Sequence, residues 1–424
     1  MKILKTFGEN ANTAREAIEQ LERRGAVNTA KVDDVVREIL AAVREHGDAA
    51  LRGYAARFDS LDGDLPLAVS RAEMQSAWDE TSEELKAAMR LAQANIRAFA
   101  EKQLPHAWSF RPSAGMEVGQ IVRPLESVGC YVPGGRYPLP STLLMTVTPA
   151  QVAGVARIVV CSPKPAKETM AAAWLASQES AAAIEFYRVG GAQAIAALAF
   201  GTATLGTVDK IVGPGNLYVT AAKMAVAQVV GIDMPAGPTE IVVTSESGDT
   251  TGIAADLVAQ AEHDPEALAI LITSSADLAE EVVLETKRQA QHNPIALQAL
   301  AAQGFAFITA TVEEARALTN RLAPEHLTVD AGADLRWVQN AGSVFVGHHT
   351  PQSMGDYISG PNHVLPTGRN GRVRGGLSVL DFVKIITVQQ YTLDALREVG
   401  PHTIALAEAE GLTGHAESVR VRMR

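Results

Sequence analysis

The sequence predicts an α/β protein built on parallel sheets. Three observations carry this prediction. Short β-branched runs alternate with helix-like runs from residue 157 to residue 346; the 424 residues, 47% hydrophobic, can fill more than one core; and both ends read as helix.

In chain order, residues 10–103 read as helix after helix, with apolar residues at helical spacing over 32–45 and an Ala-rich amphipathic run over 82–100. The texture changes near residue 118. Strands are predicted at 157–161, 184–189, 210–213, 241–244, 268–273, 305–309 and 343–346, and helices between them at 168–180, 192–200, 217–229, 251–262, 278–291 and 312–322. Such alternation implies parallel strands joined by crossover helices, and one large sheet, a barrel or two smaller sheets would each satisfy it. From Asp381 the chain is expected to return to helix, at 393–410 and 415–424, with Gly411 and Gly414 as the break. These shifts divide the chain into a helical arm (1–117), an α/β domain (118–240), a second α/β domain (241–380) and a tail (381–424).

Composition narrows the function. Forty-eight acidic against 37 basic residues leave a net charge of -11, the wrong sign for a nucleic-acid partner. Two cysteines, Cys130 and Cys161, make no disulfide framework or metal knuckle, which suits a reducing cytoplasm. The charged N-terminus has no apolar signal core. Two uncharged stretches, 137–156 and 189–208, are broken by prolines or glycines and are rich in Ala, so neither reads as a membrane span.

Several polar constellations could carry chemistry. Gln260 and His263 are three apart on a helix-like run and share a face, as metal ligands do, and Asp264 offers the imidazole a partner. Glu325 and His326 stand side by side after Pro324; a histidine near neutrality is the usual general base, and a glutamate beside it can activate water. The segment from Gly355 to His363 places Asp356 and His363 within reach of one pocket, and Glu410 and His415 bracket two glycines near the end. Each motif alone also fits ordinary solvated loops. Together they supply nitrogen and oxygen ligands of the kind zinc accepts. Three glycine-rich joints, at 132–135, 189–193 and 212–216, each follow a strand-like run and precede a helix-like one, which suits a pyrophosphate, although none matches G-x-G-x-x-G.

The motifs Ser127-Val-Gly-Cys-Tyr-Val-Pro-Gly-Gly135, Asp209-Lys-Ile-Val-Gly-Pro-Gly-Asn216, Asp233-Met-Pro-Ala-Gly-Pro-Thr-Glu240, Gln260-Ala-Glu-His263, Pro324-Glu-His-Leu327 and the 355–366 segment resemble the histidinol dehydrogenases, in order and at that family's spacing. The resemblance implies two incomplete Rossmann-like domains with parallel sheets, an N-terminal helical arm, and a C-terminal helical tail exchanged in a homodimer with shared active sites. It further implies one Zn2+ per subunit and NAD+, used to oxidise L-histidinol through L-histidinal to L-histidine, the last steps of histidine biosynthesis, in the cytoplasm. Carried onto this chain, the zinc ligands would be Gln260, His263, Asp356 and, from the other subunit, His415; the catalytic pair would be Glu325 and His326. The same zinc ligands and His326, with Thr239, His363 and Glu410, would meet substrate. Tyr131, Gln193 and Asn216 would lie at the cofactor. Thr239 stands where some relatives carry Ser, and either supplies a hydroxyl. A zinc and NAD enzyme acting on another amino alcohol or a polyol is the alternative; a zinc hydrolase is disfavoured by the glycine-rich joints.

Overall fold

The computed structural model describes residues 1–9, 11–24, 29–61, 64–134, 137–178 and 182–424; Gly135 and Ser180, which end two of the expected segments, lie outside them. The chain opens with β1 (Lys2–Lys5) and continues through α1 (Ala11–Arg23), α2 (Asp33–His46), α3 (Asp48–Asp59), α4 (Arg71–Asp79) and α5 (Glu83–Gln103). Ser70 and Ser82 each cap the following helix by accepting a backbone N–H three residues on. A hairpin of β2 (Trp108–Ser113) and β3 (Met116–Pro124) leads into the first α/β unit: β4 (Ser127–Tyr131), α6 (Pro140–Ala153), β5 (Arg157–Cys161), α7 (Lys167–Gln178), β6 (Ala183–Tyr187), α8 (Gly191–Phe200), β7 (Lys210–Val212), α9 (Leu217–Val226) and β8 (Gly231–Ile232). The second comprises β9 (Glu240–Thr244), α10 (Thr250–Ala261), β10 (Leu268–Thr273), α11 (Ala276–Gln289), α12 (Pro294–Gln303), β11 (Gly304–Ile308), α13 (Val312–Leu322), β12 (His326–Val329), β13 (Ser343–Val346) and α14 (Gln352–Tyr357). The chain ends with β14 (Val383–Tyr391), α15 (Leu393–Ala409) and α16 (Thr413–Arg420).

Among the described residues the strands form three sheets. The first is parallel, in the order β6-β5-β4-β7-β8, and the second is parallel, in the order β1-β11-β10-β9-β12-β13. Two smaller sheets are therefore what the alternation produces. Helices cover both faces of each, so interior strands read as continuous apolar runs: Leu268–Thr273 is buried at every position. Each strand order reverses once, between β4 and β7 and between β9 and β12, and such reversals open crevices where ligands bind.

Elements at both ends of the chain differ from the sequence expectation. Residues 2–5 form a parallel edge strand on β11, so the start of the chain belongs to the second sheet. Residues 383–391, expected as helix, form an antiparallel strand with β3 in the third sheet, β14-β3-β2. Its β-branched residues suit a strand, and eight of its nine positions are exposed, so no buried face marks it in the sequence. Of the two uncharged stretches, 137–156 holds the buried α6 and 189–208 holds the buried α8. No described helix is long and apolar enough to cross a membrane.

Candidate active site

The catalytic candidates stand where α13 gives way to β12. Ala323 adopts a left-handed conformation (φ 46°) and Pro324, lacking an N–H, cannot extend the helix, so the chain turns sharply and delivers Glu325 and His326 to the start of a central strand. Gly342 supports the turn from β13, because a Cβ there would lie 2.5 Å from the Glu325 carbonyl oxygen. Glu325 and His326 are 6% and 3% exposed, and both line a cavity of about 220 Å³.

Hydrogen bonds orient both groups. Thr239 Oγ1 (2.6 Å) and the Glu240 N–H (2.7 Å) donate to Glu325 Oε2, leaving Oε1 without a bond from the described residues. His326 Nδ1 lies 3.0 Å from the Glu240 carbonyl and 3.5 Å from Glu325 Oε2. A proton on Nδ1 satisfies that carbonyl and puts the free lone pair on Nε2, which is buried and has no hydrogen-bond partner. Asp356 Oδ1 is 3.7 Å from Nε2. Burial alone would lower the His326 pKa, but the Glu325 and Asp356 carboxylates outweigh it and push it up to about 10, which keeps the ring protonated at neutral pH while Asp356 is free; a cation held by Asp356 would oppose that charge and release the Nε2 proton. Asp356 responds in the opposite sense: burial raises it, yet His326, His363 and His263 hold it below the ordinary carboxylate value.

Asp356 and His363 converge as expected. His363 Nδ1 approaches the Asp356 carbonyl at 2.7 Å and Nε2 approaches Thr142 Oγ1 at 3.2 Å. Burial lowers the His363 pKa against the pull of Asp356. Pro149 inside α6 cannot donate to the Met145 carbonyl, and Asn362 Nδ2 takes that acceptor at 2.6 Å, anchoring the residue beside His363. Gln260 is fully buried near the end of α10 and donates to Thr239 Oγ1 through Nε2, while its Oε1 has no partner. His263 follows α10 and is exposed on the cavity wall. Asp264 accepts the Glu266 N–H at 2.9 Å.

Among the described residues there is no group of three or more His, Cys, Asp or Glu arranged to hold a metal. Gln260, however, is outside that residue set; its orphaned carbonyl oxygen, three residues before His263 in the chain, together with His263 and Asp356 of the cavity wall, offers donors of the kind a cation short of one ligand takes. Glu410 and His415 do not join them within one chain: both are exposed on the tail, away from the cavity lining.

The cofactor candidates gather at the carboxyl end of the first sheet. Tyr131 ends β4 and accepts the Gly191 N–H on its hydroxyl at 3.1 Å; Gln193 is buried in the first turn of α8; Asn216 caps α9 by accepting the Val219 N–H at 3.1 Å. Gly213 (φ 113°) crosses the end of β4 so closely that a Cβ would lie 2.1 Å from the Tyr131 carbonyl oxygen. Gly213, Pro214 and Gly215 line the same cavity as Glu325 and His326, so the switch point of the first sheet opens onto the amino ends of β9 and β12.

Sequence reasoning missed the supports of this site. Lys223 and Asp233 form a buried ion pair that grips the glycine loop: Lys223 Nζ donates to the Gly213 carbonyl at 3.0 Å and Asp233 accepts the Gly213 N–H at 2.7 Å. Gln352, 1% exposed, donates to Asp356 Oδ2 at 2.7 Å. Its place four residues before Asp356 is the one signal the sequence offered.

The histidinol dehydrogenase family profile matches residues 22–423. The histidinol dehydrogenase of Methanothermobacter thermautotrophicus is 45% identical over 403 residues, covering 93% of this chain and 94% of its own. That of Methanosarcina mazei is 41% identical over 427 residues, covering 99% and 98%. The crystal structure of histidinol dehydrogenase from Elizabethkingia anophelis superposes with a TM-score of 0.92 at 33% identity, covering 100% of this chain and 98% of that one. The chain belongs to the histidinol dehydrogenase family of oxidoreductases.

Proposed function

We propose that this chain oxidises L-histidinol through L-histidinal to L-histidine in two NAD-dependent steps, at a zinc-assisted site shared between two subunits. The observation that carries the reading is the single cavity in which the Glu325–His326 pair, with its unpartnered His326 Nε2, His263, Asp356 and the glycine loop of the first sheet meet, with Gln260 buried behind Thr239 of the cavity wall.

Zinc held by Gln260, His263, Asp356 and a second subunit's copy of His415 would supply a template for the substrate's imidazole and amine nitrogens and a positive charge beside Asp356. NAD bound near Tyr131, Gln193 and Asn216 would supply the hydride acceptor. His326 takes the substrate hydroxyl proton at Nε2, its Nδ1–H fixed on the Glu240 carbonyl. The resulting aldehyde must be hydrated before a second hydride can leave. Glu325 removes the proton of the attacking water through Oε1, because Oε2 is spent on Thr239 and Glu240. His326 then serves again as base. Thr239 and His363 border the cavity where substrate would sit, and Glu410 of the second subunit would meet the substrate amine.

Support for a dimer comes from the third sheet and the tail. Trp108 and Phe110 are 52% and 55% exposed, and Ile385, Leu406 and Leu412 are exposed as well, an apolar surface suited to a second subunit. A progress curve of NADH formation with L-histidinol, before and after chelation and after zinc return, tests the reading. NADH should form, stop on chelation and resume with zinc; turnover indifferent to chelation would remove the metal, and no NADH at all would remove the reaction.

A further inference from the structure

We infer that Arg24, directly after α1, is a positioning residue for the catalytic pair, acting through the carboxylate of Glu240. The inference rests on the proposed roles of Glu325 and His326.

Glu240 opens β9, and its peptide groups serve both catalytic residues: its N–H donates to Glu325 Oε2 and its carbonyl meets His326 Nδ1. The conformation of this one residue therefore sets the orientation of the water-activating carboxylate and the tautomer of the base. Its side chain is 4% exposed, and a buried carboxylate needs compensation. Arg24 supplies it as a two-pronged fork, Nε to Oε1 and Nη2 to Oε2, each at 2.9 Å. The guanidinium is itself held by the Leu21 carbonyl at 2.8 Å and the Leu322 carbonyl at 3.4 Å, the latter at the end of the helix that delivers Glu325. The Gly368 N–H completes the cradle at 2.9 Å from Oε1, and the adjacent Thr367 lines the cavity. A charged pair spanning 216 residues of sequence fixes both the side chain and the peptide of Glu240.

Arg24→Lys keeps the charge but loses the fork; Arg24→Met loses both. Expected for Arg24→Met is a fall in kcat of about tenfold to a hundredfold in both oxidations, with KM for histidinol and NAD within about twofold and full zinc content. Arg24→Lys should recover part of the loss. A second readout does not depend on turnover: in 15N-histidine-labelled protein, the Nδ1–H signal of His326, assigned by its absence from His326→Asn, should shift in both variants. Lowered thermal stability with wild-type kcat and an unmoved signal would overturn the inference, leaving Arg24 a structural residue only. If Arg24→Met does not fold, the Arg24→Lys kcat and signal decide the matter alone. Should the wild-type protein not oxidise histidinol, the functional reading fails while the His326 signal still decides the clamp.

Discussion

Replacing Glu325 by Gln isolates the second half of the proposed chemistry. The amide is isosteric, and its oxygen can still accept the Thr239 hydroxyl and the Glu240 N–H, so the two short bonds at Oε2 survive. What disappears is the basic Oε1. General-base assistance is worth about 10²–10⁴-fold, or roughly 3–5 kcal/mol at ~1.36 kcal/mol per decade. Hydration of the aldehyde is needed for histidinal oxidation and is not needed for histidinal reduction. The expected outcome is therefore a fall of about 10²–10⁴-fold in NAD-linked oxidation of supplied histidinal, against a change below about tenfold in its NADH-linked reduction. Both rates are read from NADH absorbance on the same preparation, with zinc content measured alongside. Equal damage in both directions would refute the water-activating role and return Glu325 to orienting His326.

Three further outcomes are expected. Lys223→Met leaves the fully buried Asp233 carboxylate without its countercharge, which should cost about 3–5 kcal/mol in urea unfolding and raise KM for NAD through the loosened Gly213 loop; Lys223→Met combined with Asp233→Asn should recover most of the stability, and an unchanged unfolding midpoint in the single variant would contradict the pairing. Burial pushes the Asp256 carboxyl up to about 6, against the lowering effects of the Gln352 N–H and His326, so the folded chain binds more protons than the unfolded one between pH 3.8 and 6. That contribution to stability is full below pH 3.8 and lost as pH rises through 6; Asp256→Asn should be more stable than wild type at pH 8 by up to about 3 kcal/mol, with no difference near pH 4, and a constant offset across pH would contradict the assignment. Mixing inactive Asp356→Asn and His415→Asn proteins after reversible dissociation should restore activity in the heterodimer, where one site receives both native ligands; heterodimers that form and stay inactive would place the whole site within one chain.

The parallel sheets were legible because interior strands, covered on both faces, must be apolar throughout, as 268–273 is; that run, and 343–346 at the edge of the same sheet, coincide with the observed strands residue for residue. Residues 383–391 were not, because a strand exposed at nearly every position carries no burial period, although Val383, Ile385, Ile386, Thr387 and Val388 supply the β-branched signal that could have found it. The site divides along a similar line. Glu325, His326, Asp356 and His363 stand out as reactive side chains in short motifs, and the fold brings them to one cavity. Glu240 and Arg24 act through peptide groups or across large sequence separations, contacts that no local pattern records, whereas Gln352 stands four residues before Asp356 and carries only a common helical spacing. Glu410 and His415 remain apart from the cavity because the tail carrying them projects on the third sheet.

If one cavity performs two successive oxidations through the Glu325–His326 pair, the product stoichiometry at complete conversion records it. Expected are two NADH and one histidine per L-histidinol, with no free histidinal, and neither product from His326→Asn that retains its zinc. One NADH per histidinol with histidinal released, or turnover preserved in His326→Asn, would contradict it.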